Sequence, residues 1–115
     1  MNFKEYEKKA KSTEFHTTKQ EKKIFGNLLI NPTLGLAGET GEFVDKIKKV
    51  FRDKRGKLDK ATRELLVSEL GDILWYLAKM AGVLGSSLEE VATKNIDKLA
   101  SRKKRNKIKG EGDTR

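Results

Sequence analysis

Four acidic residues, arranged as the pairs Glu39 with Glu42 and Glu69 with Asp72, are the side chains of this 115-residue chain best placed to do chemistry. Side chains three apart on a helix are neighbours, so each pair can present two carboxylates to one ligand. Both pairs carry a glycine directly before the second acid, in Glu39-Thr40-Gly41-Glu42 and Glu69-Leu70-Gly71-Asp72. Glycine inside a helix costs about 1 kcal/mol relative to alanine, so its repetition signals a demand for space, met by close helix approach or by room for a ligand. Four converging carboxylates repel one another, and a hard divalent cation relieves that repulsion. All-oxygen donors favour magnesium or manganese over zinc. The competing arrangement has Glu39 and Glu42 paired on the surface with Lys46 or Lys49.

The rest of the inventory narrows the chemistry. There is no Cys and a single His, which removes disulfides, thiolate zinc sites and cysteine nucleophiles and leaves a His-based triad improbable. Catalysis must use carboxylates, amides, hydroxyls, Lys or Arg. The uncharged stretch from Ile24 to Gly38 is broken by Asn31-Pro32 and is shorter than the roughly 18 apolar residues of a membrane span. MNFKEYEKKAK has charge but no apolar core of a signal peptide, so a cytoplasmic protein without membrane association is expected.

These acids need helices to hold them. Period-3.6 patterns recur between breakers and period-2 alternation is absent, which predicts an all-α, four-helix-bundle-like fold. The first helix covers roughly Phe3 to Lys11. A polar stretch from Ser12 to Asn31 follows, with room for a further turn of helix around Gln20 to Phe25. Asn31 as cap with Pro32 at the first helical position opens the second helix, which runs to about Phe51; RDKRGK then forms the connection. The third helix starts at an Asp59 cap and ends around Leu84-Gly85. Ser87-Leu88-Glu89-Glu90 is a capping box opening the fourth, to about Arg102. On the third helix Leu65, Leu66, Ile73, Tyr76, Leu77, Met80, Val83 and Leu84 share an arc of about 120°, with Glu69 and Asp72 in or beside it. An acid on a core-facing stripe is costly unless paired, hydrogen-bonded or metal-bound. On the second helix Leu36, Phe43, Ile47, Val50 and Phe51 form the stripe, with Glu39 at its edge and Glu42 one position further round. On the fourth, Leu88, Val91, Ala92, Ile96 and Leu99 surround Asn95, an amide that needs a partner.

The segments GLAGETGEFVDKIKKVF and ELGDILWYLA, with 26 residues (Phe43 to Ser68) between their two acidic pairs, resemble the ExxE…ExxD signature of the MazG-like nucleotide pyrophosphohydrolases. The agreement includes Gly35-Leu36-Ala37-Gly38 before the first pair, Lys48-Lys49 after it, Gly71 within the second and Tyr76 one turn beyond Asp72. It spans about Leu34 to Arg102. The resemblance implies an all-α, magnesium-dependent enzyme that converts nucleoside triphosphates to monophosphate and pyrophosphate. It also implies Glu39, Glu42, Glu69 and Asp72 as metal ligands, with one glutamate orienting the attacking water. Asn95, Lys98 and Arg102 then become substrate contacts on the last helix, and Tyr76 a stacking or hydrogen-bonding partner of the nucleotide. Phe15 and His16 stand where related enzymes often build the base pocket, although the local pattern departs from theirs. Trp75, off the acidic stripe, is a candidate for a subunit interface. The resemblance further implies a homodimer or homotetramer, and a low apolar share of 36% in so short a chain points the same way, because burial against another subunit enlarges a modest core.

The net charge of +9 is divided about equally. Residues 102–115 hold seven Lys or Arg and two acids, so we separate a helical domain, 1–101, from a flexible basic tail. The tail can attract nucleic acid non-specifically, but no aromatic residues interleave with its charges. Two competing functions follow. One is a phosphoribosyl-ATP pyrophosphohydrolase, which the GLAGETGE segment and the long spacer disfavour. The other is a non-catalytic nucleic-acid-binding helical module, which leaves the acidic stripe unexplained.

Overall fold

The computed structural model describes residues 1–115 and is all-helical. Five helices occur in the order α1 (Phe3–Lys11), α2 (Thr18–Phe25), α3 (Ile30–Lys54), α4 (Lys60–Val83) and α5 (Leu88–Lys104). The number is five rather than four because the polar stretch before Asn31 closes into α2. Thr17 accepts from the Gln20 N–H and the Gln20 side chain accepts from the Thr17 N–H, a reciprocal cap, while Gly26 ends the helix at φ 78°.

The start of α3 also differs from the sequence expectation. The Asn27 side chain, not that of Asn31, accepts from the N–H groups of Leu29 and Ile30 at 2.8 and 3.1 Å. Asn31 lies inside the first turn and donates to Glu21 at 3.3 Å, and Pro32 beside it is fully buried. A proline is tolerated there because first-turn N–H groups lack helical partners anyway. At its other end α3 continues to Lys54, past the expected stop at Phe51. It closes when Arg55 and Gly56 turn left-handed, with the Gly56 N–H donating back to the Val50 carbonyl.

The caps of α4 and α5 follow the sequence more closely. Asp59 accepts from the Thr62 N–H at 2.8 Å, and Lys54 bonds the same carboxylate from the end of α3, at 2.6 Å. Ser87 accepts from the Glu90 N–H. The Glu90 carboxylate does not return the bond to Ser87; it accepts from Ser86 instead, and Glu7 of α1 accepts from the Leu88 N–H at 2.7 Å. One orphan donor of α5 is thus satisfied from another helix.

The long α3 and α4 form the principal helix pair, with α1 and α5 against α4 and α2 against α3. A sealed ion pair between Glu21 of α2 and Lys79 of α4 joins the N-terminal half to this pair. The apolar core is small: Val50, Leu66, Ala78, Ala81 and Leu88, with Pro32. Only part of the expected α4 stripe is covered, since Leu66 is buried while Leu65, Leu77 and Leu84 stay exposed. On α5 the stripe is more open still, with Val91, Ile96 and Leu99 exposed. No helix is long and apolar enough to cross a membrane.

Candidate active site

The pairing of α3 with α4 brings the two acidic motifs face to face. One carboxylate oxygen from each of Glu39, Glu69 and Asp72 lies within 4.8 Å of the others. Glu69 is buried, Glu39 half-buried and Asp72 exposed, so the group grades from the helix interface out to solvent. Glu42 is exposed and stands outside the trio. It is nevertheless close enough to act on Glu39, whose carboxyl is pushed up first by desolvation, then by the charges of Glu42, Asp72 and Glu69, against a smaller opposing effect of Lys46.

The surface-pairing alternative is not what forms. Lys49 and Lys48 bind Asp45 at 2.6 and 3.4 Å, and neither Glu39 nor Glu42 has a basic partner. Lys46 turns to α4 and donates to Glu69 Oε1 at 2.5 Å. The other oxygen, Glu69 Oε2, is buried with no hydrogen-bond partner. A buried carboxylate oxygen without a donor carries a desolvation penalty that a cation ligand removes. Three carboxylate oxygen donors suit magnesium or manganese.

Beside the acids lies a cleft of about 350 Å³ lined by Thr13, Phe15, Glu39, Asp72, Trp75 and Tyr76. Its aromatic wall is braced from two sides. Gly35 of α3 faces Tyr76 so closely that a Cβ there would overlap the ring, while Trp75 meets Tyr76 edge to face at 5.0 Å. Of the two roles open to Gly41 and Gly71, close helix approach is not theirs, since a Cβ at either would meet nothing within 4 Å; close approach occurs at Gly35. Trp75 serves an internal contact: its Nε1 donates to Thr13 Oγ1 at 2.8 Å and ties the α1–α2 loop to α4. That loop carries Phe15, 96% exposed, along the cleft; His16 is exposed and outside its lining.

Of the remaining candidates, Tyr76 lines the cleft and the α5 residues do not. Asn95 and Lys98 are exposed on α5. Arg102 is buried, its guanidinium donating to the Asp113 carbonyl at 2.8 Å with the Asp113 carboxylate at 3.7 Å. Lys46, Thr13 and Tyr6 were missed as site residues. Tyr6 lies near enough for Asp72, after burial itself, to raise its phenol. Nothing local in α1 announces Tyr6, and Lys46 is one of several lysines on α3.

Residues 31–106 match the MazG nucleotide pyrophosphohydrolase domain, a stretch that contains α3 from its second residue, α4 and α5, with all four acids. The chain belongs to the MazG family. It is also 47% identical over 83 residues to the Gene 37 protein of Mycobacterium phage L5, covering 72% of this chain and 73% of that one. No solved structure matches it significantly. The all-helical architecture agrees with the MazG domain, and both acidic motifs lie within the matched residues. The match begins after α2, so the loop that places Thr13 and Phe15 on the cleft lies outside it.

Proposed function

We propose that this MazG-family chain is a divalent-metal-dependent nucleoside triphosphate pyrophosphohydrolase of the cytoplasm, cleaving between the α and β phosphates to release a nucleoside monophosphate and pyrophosphate. The observation that carries the reading is the trio Glu39, Glu69 and Asp72 with the orphaned Glu69 oxygen at its buried end. Those three would hold magnesium or manganese, with Glu42 alongside. The bound metal would supply Lewis acidity for water attack and charge stabilisation for the departing pyrophosphate. The chain's own groups position the reactants. Tyr76 and Phe15 flank the nucleoside in the cleft, and Thr13 through Trp75 fixes the loop beside it. A cleft carboxylate orients the water and takes its proton as oxygen bonds to the α phosphorus and the bridging P–O bond breaks. No nucleophilic side chain is required.

The functional unit in this reading is a homodimer or homotetramer built from the helical domain, 1–101. Asn95 and Lys98, outside the cleft of a single chain, are brought to the substrate by a second copy. Arg102 joins them once its guanidinium leaves Asp113. Apart from Arg102, the basic segment 102–115 stands outside the catalytic unit and attracts polyanions only non-specifically.

The test is product analysis by anion exchange with ribo- and deoxyribonucleoside triphosphates, in magnesium and in chelator. Magnesium-dependent monophosphate plus pyrophosphate is expected, lost in Glu69→Ala and Asp72→Ala at unchanged helicity. Turnover of phosphoribosyl-ATP alone would transfer the chain to that reaction. Retained activity in either variant would remove the acid from the site.

A further inference from the structure

Lys46 behaves unlike its neighbours on α3. Lys48 and Lys49 are exposed and share Asp45, whereas Lys46 reaches across to α4, with its side chain 26% exposed, and places its ammonium 2.5 Å from Glu69 Oε1. It is also unlike Lys79, which is sealed with Glu21 in the protein interior, where Asn31 donates to the same oxygen. Lys46 has Glu69 as its one hydrogen-bonding partner and stays partly open to solvent. Its ammonium therefore already does, at a single carboxylate, part of what a cation would do for three.

Two cations cannot both draw fully on Glu69. An ammonium and a divalent ion at the same carboxylate repel at short range, so occupation of the trio weakens the hold on Lys46. The four-carbon stem of lysine lets the ammonium swing without moving the backbone. A triphosphate arriving with the metal offers the anionic oxygens that Glu69 no longer provides. We propose that Lys46 is an exchangeable internal counter-ion: it neutralises Glu69 in the metal-free protein, yields it when a divalent cation binds, and then takes a phosphate oxygen of the substrate. This rests on the acids being a cation site and assigns Lys46 a positioning role in it.

The experiment compares the wild type, Lys46→Met and Lys46→Arg in manganese titrations followed by electron paramagnetic resonance, without nucleotide. Melting in chelator and triphosphate kinetics complete the comparison. Lys46→Met is expected to bind Mn²⁺ about tenfold more tightly, the competing charge being gone. It should melt below the wild type in chelator, because the acids lose their counter-ion, and Mn²⁺ should close that gap. The KM for triphosphate should rise about tenfold with a smaller change in kcat, and Lys46→Arg should recover most of it. Unchanged Mn²⁺ affinity in Lys46→Met would overturn the exchange, and tighter Mn²⁺ with an unchanged KM would overturn the transfer to phosphate. A wild type that binds no Mn²⁺ would instead sink the cation site itself and the proposal with it; lower melting of Lys46→Met in chelator would then mark a merely structural ion pair.

Discussion

Glu39 is the carboxylate whose charge the metal-free cleft resists. Its pKa is raised by desolvation and then by Glu42, Asp72 and Glu69, so the folded state holds this proton more tightly than the unfolded chain does. The sign follows: ionised Glu39 opposes folding, the penalty is absent below the unfolded pKa, and it grows as pH rises through the raised folded one. Asp45, Asp53, Asp59 and Glu90 act oppositely, each lowered chiefly by a hydrogen-bonded Lys or Arg, and their stabilisation is lost as pH falls. Because those groups are common to both proteins, comparing wild type with Glu39→Gln isolates the cleft. In chelator at pH 7 the variant should melt above the wild type, and the difference should vanish below about pH 4, where Glu39 is protonated in either state. Mn²⁺ affinity should fall in the same variant. Equal melting at pH 7 would show that the three acids do not strain one another. A cation held by these acids would sit where the bare protein is least content, which is how a binding site differs from a stabilising ion pair.

Among the helices, α2 shows how a segment can fold without an apolar signature. TKQEKKIF has only Ile24 and Phe25 to bury, and Ile24 stays exposed. What holds it is Glu21, its side chain 4% exposed, against Lys79 of α4, with Asn31 of α3 donating to the same oxygen. Breaking a buried pair from one side strands a charge, so Lys79→Met alone should cost about 3–5 kcal/mol in chemical denaturation. The double variant Glu21→Leu/Lys79→Met should recover most of that, since an apolar pair replaces a desolvated ionic one at little net cost. Additive losses in this cycle would mean that the two residues do not act as a pair. The same contrast explains what was legible beforehand. Asp59 and Ser87 mark their helix starts because a cap is written in the residues beside it, and Glu69 with Asp72 stood out because acids on an apolar stripe need a partner. Thr13 reaches the cleft, Tyr6 comes near Asp72, and Asn31 leaves its expected capping role, through contacts made across the fold, for which local spacing carries no signal. Gly35 belongs to the Gly35-Leu36-Ala37-Gly38 motif, yet its partner Tyr76 is on the opposing helix, so local spacing does not show its close approach.

A single copy of this chain leaves its burial unfinished. Ten of 115 residues are buried, and the radius of gyration is 17.4 Å, against about 13 Å for a compact domain of this length. The uncovered apolar residues include Leu70 and Leu77 on α4 and Val91, Ile96 and Leu99 on α5, with Ile96 63% exposed. Each is on a helix that the MazG match contains, and Asn95 lies between them in the α5 stripe. In the proposed assembly a second copy would cover this stripe and carry a substrate contact from α5 toward the acidic cleft. Sedimentation at micromolar concentration should therefore give a dimer or tetramer, with a melting temperature that rises with protein concentration. Ile96→Lys places a charge in the exposed stripe without removing a contact from the core of one chain. It should shift the sedimentation toward monomer, abolish the concentration dependence and lower turnover, while leaving the cleft residues of the chain in place. A monomeric wild type with full activity would show that α5 serves neither purpose, and would return Asn95 and Lys98 to the solvent-exposed face on which a single chain displays them.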